Sequence, residues 1–193
     1  RLEMAILNPL GSALRATAGL AAASTVEVYE RLDSLATEHG HVDTEGRHGD
    51  LRGRLGTYFA RSLHEQELDN AMEGLARAEG SGEELVRGLC LRAAGRALWA
   101  MGRPVEARDY LERAVAVTTG VLGNVRQDIA QDDGVSALVF LGYTLAALGR
   151  PGKAISTVEA GIGRAVALQQ GTSIGLAYLG AAWTAMILHD FEG

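Results

Sequence analysis

The sequence holds few of the residues on which disulfide-stapled domains and β-sandwiches depend. It has one cysteine among 193 residues, Cys90, so no disulfide can form within the chain. A single cysteine also fits a reducing compartment. Cys90 lies between Leu89 and Leu91, and this apolar setting predicts a buried core residue rather than a nucleophile. Aromatic residues amount to 5% and prolines to three, which favours long, closely packed helices over aromatic-rich sheets.

Positive charge and long apolar runs are scarce as well. Lys and Arg number 18 against 24 Asp and Glu, and no basic cluster stands out, so we expect no nucleic-acid partner. Two stretches lack charge, 134–149 and 165–188. The first is shorter than the roughly 18 residues that cross a bilayer, and polar residues interrupt the second at 169–173. We therefore expect both stretches to be helices buried between neighbouring helices, and no membrane contact.

A spaced pattern of glycine, proline and alanine occurs twice in the second half of the chain. Each member of the second copy lies 47 residues after its counterpart, as position 142 follows 95 and position 149 follows 102. The first copy is Gly95, Gly102, Pro104 and Ala107, and the second is Gly142, Gly149, Pro151 and Ala154. Self-similarity at one long spacing indicates a repeated supersecondary unit.

The order of these residues predicts a helical hairpin. The first glycine of each copy lets two helices approach closely, and the second ends a helix, where glycine accepts a left-handed backbone. Proline follows two residues later and is favoured in the first turn of the next helix. The alanine then provides a small surface at which the second helix meets the first.

Less regular units fill the rest of the chain. Apolar residues at helical spacing predict hairpins over 2–38 and 49–78 and a last helix over 172–188. No segment shows the period-two alternation of a strand. We predict one all-α domain over 1–193, with about nine helices arranged as antiparallel hairpins in a right-handed superhelical solenoid. Connections are expected at 38–50, 78–82 and 120–133, and Asp132 or Asp133 is expected to cap the helix that follows the last of them.

The hairpin pattern resembles the tetratricopeptide repeat, in which a helix pair recurs about every 34 residues. The longer spacing here leaves an excess of roughly 13 residues, which falls in 120–133. The resemblance implies a helical array with a curved surface for binding proteins or peptides.

The chain also resembles a more particular family. The run Gln131-Asp132-Asp133-Gly134-Val135, the segment 141–149, Ala181-Ala182-Trp183 and the opening 10–14 are similar to the C-terminal helical repeats of large bacterial signalling ATPases. Some of these proteins carry a class III nucleotide cyclase domain, and others carry a LuxR-type DNA-binding domain. The resemblance implies a cytoplasmic regulatory protein with an ATP-binding domain upstream, of which this chain is a piece. It carries over no catalytic residue.

Candidate recognition residues lie on the first helices of the predicted hairpins, which line the inner face of a solenoid. Arg92, Arg96 and Trp99 share one helical face, Tyr143 takes the place of Arg96 in the next unit, and Trp183 lies on the following first helix. Arginine and aromatic residues dominate binding hot spots, so this stripe predicts a groove for a peptide or an acidic segment. The structural alternative is that both tryptophans are interhelical core and that Arg92 pairs with a nearby glutamate.

One cluster offers donors for a metal. His39, His41, Asp43, His48 and Asp50 crowd a predicted loop, but they lack the fixed spacing of a zinc motif, so we predict no metal site. The sequence also contains no phosphate-binding loop and no nucleophile elbow. We therefore predict no enzyme and no cofactor.

Binding is the role that remains. The first hypothesis is a protein-interaction and regulatory scaffold whose groove receives a peptide, a partner domain or the regulator's own ATPase domain. The alternative is a small-molecule effector sensor with a pocket between the repeats and 120–133. A metal-dependent enzyme built on the histidine cluster is the third hypothesis. An uncovered apolar flank on 174–188 would also allow a homodimer.

Overall fold

The computed structural model describes residues 2–39, 44–119 and 131–188. Within these ranges the chain forms nine α-helices and no strand, which confirms the predicted all-α class. In chain order the helices are α1 Leu2–Thr17, α2 Ala23–His39, α3 Thr44–Ala60, α4 His64–Ser81, α5 Glu84–Ala100, α6 Pro104–Thr119, α7 Asp133–Ala147, α8 Pro151–Leu168 and α9 Gly171–Ile187. None of the helices in these ranges combines the length and the apolar character needed to cross a membrane.

The chain divides into two compact units, Arg1–Asn70 and Ala71–Gly193, and the division falls within α4. The first unit contains α1 to α3, and the second contains α5 to α9. The assignment of 1–193 to one domain and the handedness of a superhelix along the chain stay predictions.

In the first unit, the ring of Tyr29 on α2 lies against glycines of two other helices. An added Cβ at Gly11 of α1 would lie 3.1 Å from this ring, and at Gly53 of α3 the ring leaves no room for a side chain. Tyr29 is buried as a result. At the surface, Arg31 of α2 binds Glu3 of α1 at 2.7 Å. One aromatic ring and one ion pair thus join α1 to its neighbours.

The hairpin of α5 and α6 confirms the roles predicted for its residues. Gly102 has a φ of 73° in the turn, and α6 begins at Pro104. An added Cβ at Gly95 would lie 2.5 Å from Cγ of Leu111 and 3.2 Å from the carbonyl oxygen of Ala107. The two backbones can approach this closely because position 95 has no side chain.

The hairpin of α7 and α8 repeats this construction. Gly149 has a φ of 68°, and α8 begins at Pro151. The side chain of Val158 fills the space that a Cβ on Gly142 would need, and Ala154 is fully buried. The repeat seen in the sequence is therefore a repeat of structure.

The helices of these two hairpins run antiparallel, as predicted. Gly95 of α5 faces Leu111 of α6, whereas the earlier Gly88 faces the later Thr118. The order of contacts is reversed in the same way between α7 and α8.

The first helices of successive hairpins, by contrast, lie side by side and run parallel. Helix α7 contacts α5 on one side and α9 on the other. The residues in contact are Arg92 with Asp133 and Trp99 with Phe140 between α5 and α7, and Asp132 with Ser173 and Val139 with Gly180 between α7 and α9. Residue numbers rise together on both helices of each pair, as parallel packing requires.

Two connections differ from the sequence prediction. The loop predicted over 38–50 is wrong from Thr44 onward, where α3 begins, and the turn predicted over 78–82 narrows because α4 continues to Ser81. Local glycine and serine content is a weak signal that a neighbouring helical turn overrides. Residues 120–130 of the loop predicted at 120–133 lie outside the described residues. Asp132 caps α7, as predicted, by accepting the backbone N–H of Val135 at 2.8 Å.

Candidate functional site

Arg92 is buried on α5 and pairs with Asp133 at the start of α7. The residue is 4% exposed, and its Nε atom lies 3.0 Å from Oδ1 of Asp133. A guanidinium leaves water only at a high cost in free energy unless a carboxylate compensates its charge. The structural alternative therefore holds for Arg92, except that its partner is an aspartate on the next first helix rather than a glutamate.

Three rings form an aromatic cluster, defined here as Trp99, Phe140 and Tyr143. The ring centroids of Trp99 lie 5.7 Å from Phe140 and 5.3 Å from Tyr143, and those of Phe140 and Tyr143 are 5.4 Å apart. These are the separations at which aromatic rings attract one another through edge and offset contacts. The cluster joins α5 to α7, the same two helices that the contact between Arg92 and Asp133 joins.

Arg96 lies over this cluster. Its guanidinium carbon is 6.0 Å from the centroid of the Phe140 ring, and the residue is 8% exposed. A guanidinium above a ring face is attracted by the ring's negative electrostatic potential. Four of the five predicted groove residues, all except Trp183, thus lie close together. Their contacts are with one another and between α5 and α7.

Tyr143 is the member of the cluster whose titration is perturbed. Burial raises the pKa of its hydroxyl from 10.0 to about 12. Desolvation disfavours the charged phenolate, so the side chain stays neutral over the physiological range. The hydroxyl is therefore suited to packing and hydrogen bonding, and not to acting as an ionised nucleophile.

Sequence analysis did not single out Phe140. The residue stands seven positions after Asp133 on α7, and this spacing returns to nearly the same side of a helix. Asp133 itself was predicted only as a helix cap. Both residues could have been recognised as neighbours of the Arg92 stripe only if the alignment of α5 with α7 had been known.

Trp183 lies apart from the other four predicted residues. It is 48% exposed on α9, although it occupies the same position along its helix as Arg96 on α5 and Tyr143 on α7. Each of the three lies five residues before the residue that caps the C-terminal end of its helix, and these caps are Met101, Leu148 and Leu188. The interpretation of Trp183 as interhelical core is therefore wrong for this chain.

An apolar surface surrounds Trp183, and we call it the α9 outer face. Four of its members are roughly half exposed: Tyr178 at 57%, Leu179 at 54%, Trp183 at 48% and Met186 at 53%. Ala182 is the fifth member and is also exposed. The buried positions of α9 lie on the opposite side of the helix, at Ser173, Ala177, Gly180 and Thr184. The α9 outer face is thus a continuous apolar stripe directed away from the packed helices of the second unit.

A second cluster of polar residues, absent from the sequence prediction, joins α7, α8 and α9. Arg164 of α8 donates to both carboxylate oxygens of Asp132, at 2.6 and 3.1 Å. The backbone N–H of Asp132 donates to Oγ of Ser173 at 2.9 Å, and that hydroxyl donates to Gln170 at 3.0 Å. A carboxylate that accepts several bonds tolerates burial, and Asp132 is 4% exposed. The geometry fits a structural junction because the cluster's polar groups are directed at one another.

Among the described residues outside these clusters, the reactive side chains are scattered or buried. Among the described residues, no three His, Cys, Asp or Glu side chains are placed to hold a metal ion. The side chains of the donors proposed in 39–50 lie outside the described residues. Cys90 is fully buried, which confirms its prediction as core.

Comparisons with known proteins give no family for this chain. No protein-family model matches the chain, and no curated protein matches it.

Proposed function

We propose that this chain is a protein-interaction module that binds a helical partner at the α9 outer face. Its place in a cytoplasmic bacterial signalling or transcription regulator is part of the proposal. That setting is supported only by the resemblance of its hairpins to the repeats of such regulators and by the single buried Cys90. The proposed role involves binding and includes no catalytic step.

The observation that carries the proposal is the position of the exposed residues in the repeat. Leu179, Trp183 and Met186 lie nine, five and two residues before the cap of α9. On α5, the residues at these three positions are Arg92, Arg96 and Trp99, which pack against α7. The surface that the first helix of one hairpin uses to bind the next is thus present on α9 and uncovered there.

The same surface also recurs on α7. Val139 lies nine residues before the cap of α7, and its side chain lies 2.8 Å from the point where a Cβ on Gly180 of α9 would stand. The contact is therefore one of a large apolar side chain against a position without one. A partner helix with a small residue opposite Leu179, which takes the position of Val139 in α9, would fit the α9 outer face.

The size of the exposed side chains makes such a partner energetically reasonable. Full burial of a large apolar side chain contributes about 1.5–3 kcal/mol, and Leu179, Trp183 and Met186 are already half buried, so covering them would add about 2–4 kcal/mol in all. Part of this gain is lost to the ordering of both partners. Tryptophan is one of the residue types enriched in binding hot spots.

Arg92, Arg96, Trp99 and Tyr143 support this surface in the proposal by keeping α5 and α7 aligned. Their ion pair and ring contacts hold α7 in position, and α7 in turn packs against α9. Among the five residues predicted from the sequence, Trp183 would therefore touch the partner directly.

Selection from a displayed library of amphipathic helices would test the proposal. We expect clones that bind the wild-type chain and bind the variant Leu179→Lys/Trp183→Lys at least about tenfold more weakly, which is a loss of about 1.4 kcal/mol or more. Val105→Lys is the matched control, because Val105 is an exposed apolar residue, 64% accessible, on α6. Its affinity for the selected helices should equal that of the wild type.

Two results would count against the proposal. One is that every selected helix binds the double variant as tightly as the control. The other is that no helix is selected while a panel of metabolites raises the melting temperature of the wild-type chain, which would favour the small-molecule sensor instead.

A further inference from the structure

The sulfur-containing side chains of this chain, one cysteine and four methionines, differ widely in their exposure to water. Cys90 is fully buried, which shields its thiol from oxidants. Met186 is 53% exposed and Met72 is 40% exposed, while Met4 and Met101 are less exposed than either. The most accessible of these side chains is therefore Met186, whose position lies on the α9 outer face.

Resting on the proposed function, we propose that Met186 is a redox-sensitive site, and that its oxidation to the sulfoxide by a peroxide weakens binding at the α9 outer face. In this reaction the thioether sulfur attacks one oxygen of hydrogen peroxide, and the O–O bond breaks as the S–O bond forms. The second oxygen leaves as water after it receives the proton from the oxygen now bound to sulfur. Sulfur loses two electrons and the peroxide gains them, so no further reactant is needed.

Met186 occupies a contact position of the repeat. It lies two residues before the cap of α9, as Trp99 lies two residues before the cap of α5. The ring of Trp99 packs against Phe140 and Tyr143 of α7. A partner helix that binds α9 as α7 binds α5 therefore covers Met186 at the place where α7 covers Trp99.

A sulfoxide at this position adds a polar group to an uncharged surface. The segment 171–187 contains no Asp, Glu, Lys or Arg, so no charged side chain of α9 compensates the S–O dipole when a partner excludes water from it. Burial of a polar group without a hydrogen-bond partner costs free energy, and the cost here should weaken binding about tenfold.

The fold of the second unit should tolerate the same oxidation. The buried positions of α9 are Ser173, Ala177, Gly180 and Thr184, and Met186 is not among them. In the unbound chain the sulfoxide therefore remains in contact with water. Oxidation of a methionine inside a core disrupts packing, whereas oxidation of Met186 should act on binding and leave folding unchanged.

Limited treatment of the 193-residue chain with hydrogen peroxide, followed by peptide mass spectrometry, tests which side chain reacts. We expect Met186 to be oxidised first and Met72 second, with Met4 and Met101 reacting later and Cys90 remaining a thiol. If another methionine were oxidised before Met186, the proposed site would be wrong.

The affinity of the oxidised chain for helices selected from the displayed library tests the effect on binding. We expect the wild type to bind about tenfold more weakly after oxidation, and to recover when the reductases for both sulfoxide epimers are added. Met186→Leu should bind equally well before and after peroxide. Met72→Leu is the matched control, since it keeps Met186 and should lose affinity as the wild type does.

A polar substitution gives the same test without an oxidant. Met186→Gln should bind the selected helices as weakly as the oxidised wild type, whereas Met72→Gln should bind them as the untreated wild type does. Circular dichroism should show the same helix content in all variants and in the oxidised chain.

The remaining outcomes separate this inference from the proposed function. If the selected helices bound the oxidised and untreated wild type equally well, the redox role of Met186 would be overturned and the proposed function would stand. An equal loss of affinity in oxidised Met186→Leu would also overturn it, because another residue would then be the sensitive one. The proposed function fails separately, when no helix binds the untreated chain.

Discussion

The guanidinium of Arg164 meets the carboxylate of Asp132 in two contacts of 2.6 and 3.1 Å, and the two side chains are 9% and 4% exposed. The same carboxylate caps α7 by accepting the N–H of Val135. One aspartate thus fixes the start of α7 and also the position of α8 against it. The backbone of Asp132 extends the junction to α9 through Ser173.

Replacing Arg164 with methionine should destabilise the second unit strongly. Asp132 would be left buried without its counter-charge, and loss of one partner of a buried pair costs about 3–5 kcal/mol. Urea unfolding followed by circular dichroism measures the change. Arg113→Met is the control, because Arg113 is 41% exposed and pairs with Asp109 at the surface, where a change below about 1 kcal/mol is expected. If both variants lost the same free energy of unfolding, the pair of Arg164 and Asp132 would contribute no more to stability than an ion pair at the surface.

Gly134→Ala should also destabilise the chain, for a steric reason. A Cβ at position 134 would lie 2.6 Å from Nε of Arg164, so the guanidinium would have to move away from Asp132. Overpacking of this kind costs about 1–3 kcal/mol. The change should lower the midpoint of thermal unfolding, and in the Arg164→Met background it should cost less, because the clashing group is gone. If Gly134→Ala lowered the midpoint equally in both backgrounds, a clash with Arg164 would not be the cause of the destabilisation.

Gly161→Ala should have the opposite effect. Gly161 lies inside α8, where alanine has the higher helix propensity, and its Cβ would lie 3.4 Å from Cβ of Leu138, an ordinary contact distance. We expect a gain of about 0.5–1 kcal/mol in the free energy of unfolding. Helix content by circular dichroism should be unchanged. A loss of stability would mean that α7 and α8 are packed too tightly at this point for a methyl group.

Stability should fall in alkaline solution because of Tyr143. Burial raises the pKa of this residue from 10.0 to about 12 in the folded state, so the folded chain holds its proton at a pH where the unfolded chain has lost it. The contribution of the neutral hydroxyl is complete below about pH 10 and decreases as the pH rises toward 12. Tyr143→Phe has no proton to lose there, so its unfolding free energy should decline less steeply over this range. If the unfolding free energies of the two proteins fell in parallel with pH, Tyr143 would not be the cause of the alkaline loss of stability.

Much of the hairpin structure could be predicted because it depends on local sterics. Gly102 and Gly149 adopt left-handed backbones, and Pro104 and Pro151 begin helices, for reasons contained within a few residues of each. The cap at Asp132 follows from the same kind of local hydrogen bonding. None of these features depends on how one hairpin is aligned with the next.

The candidate site was harder to predict because it depends on that alignment. Trp183 could not be matched with Tyr143 from the sequence, since the helix caps at 101, 148 and 188 are separated first by 47 residues and then by 40. Arg96 and Tyr143 have the arginine and aromatic character of hot-spot residues, but the sequence could not show that Phe140 and Trp99 would pack against them.

The sequence by itself determined that this chain forms helical hairpins, and where several of them begin, turn and close, because glycine, proline and alanine act on the backbone within one or two helical turns. Only the tertiary structure decided which distant side chains meet. Asp132 finds Arg164 and Ser173 at sequence separations of 32 and 41 residues, which no local rule specifies. The tertiary structure also decided that positions buried on α5 have exposed counterparts on α9, because exposure depends on which elements pack against a helix.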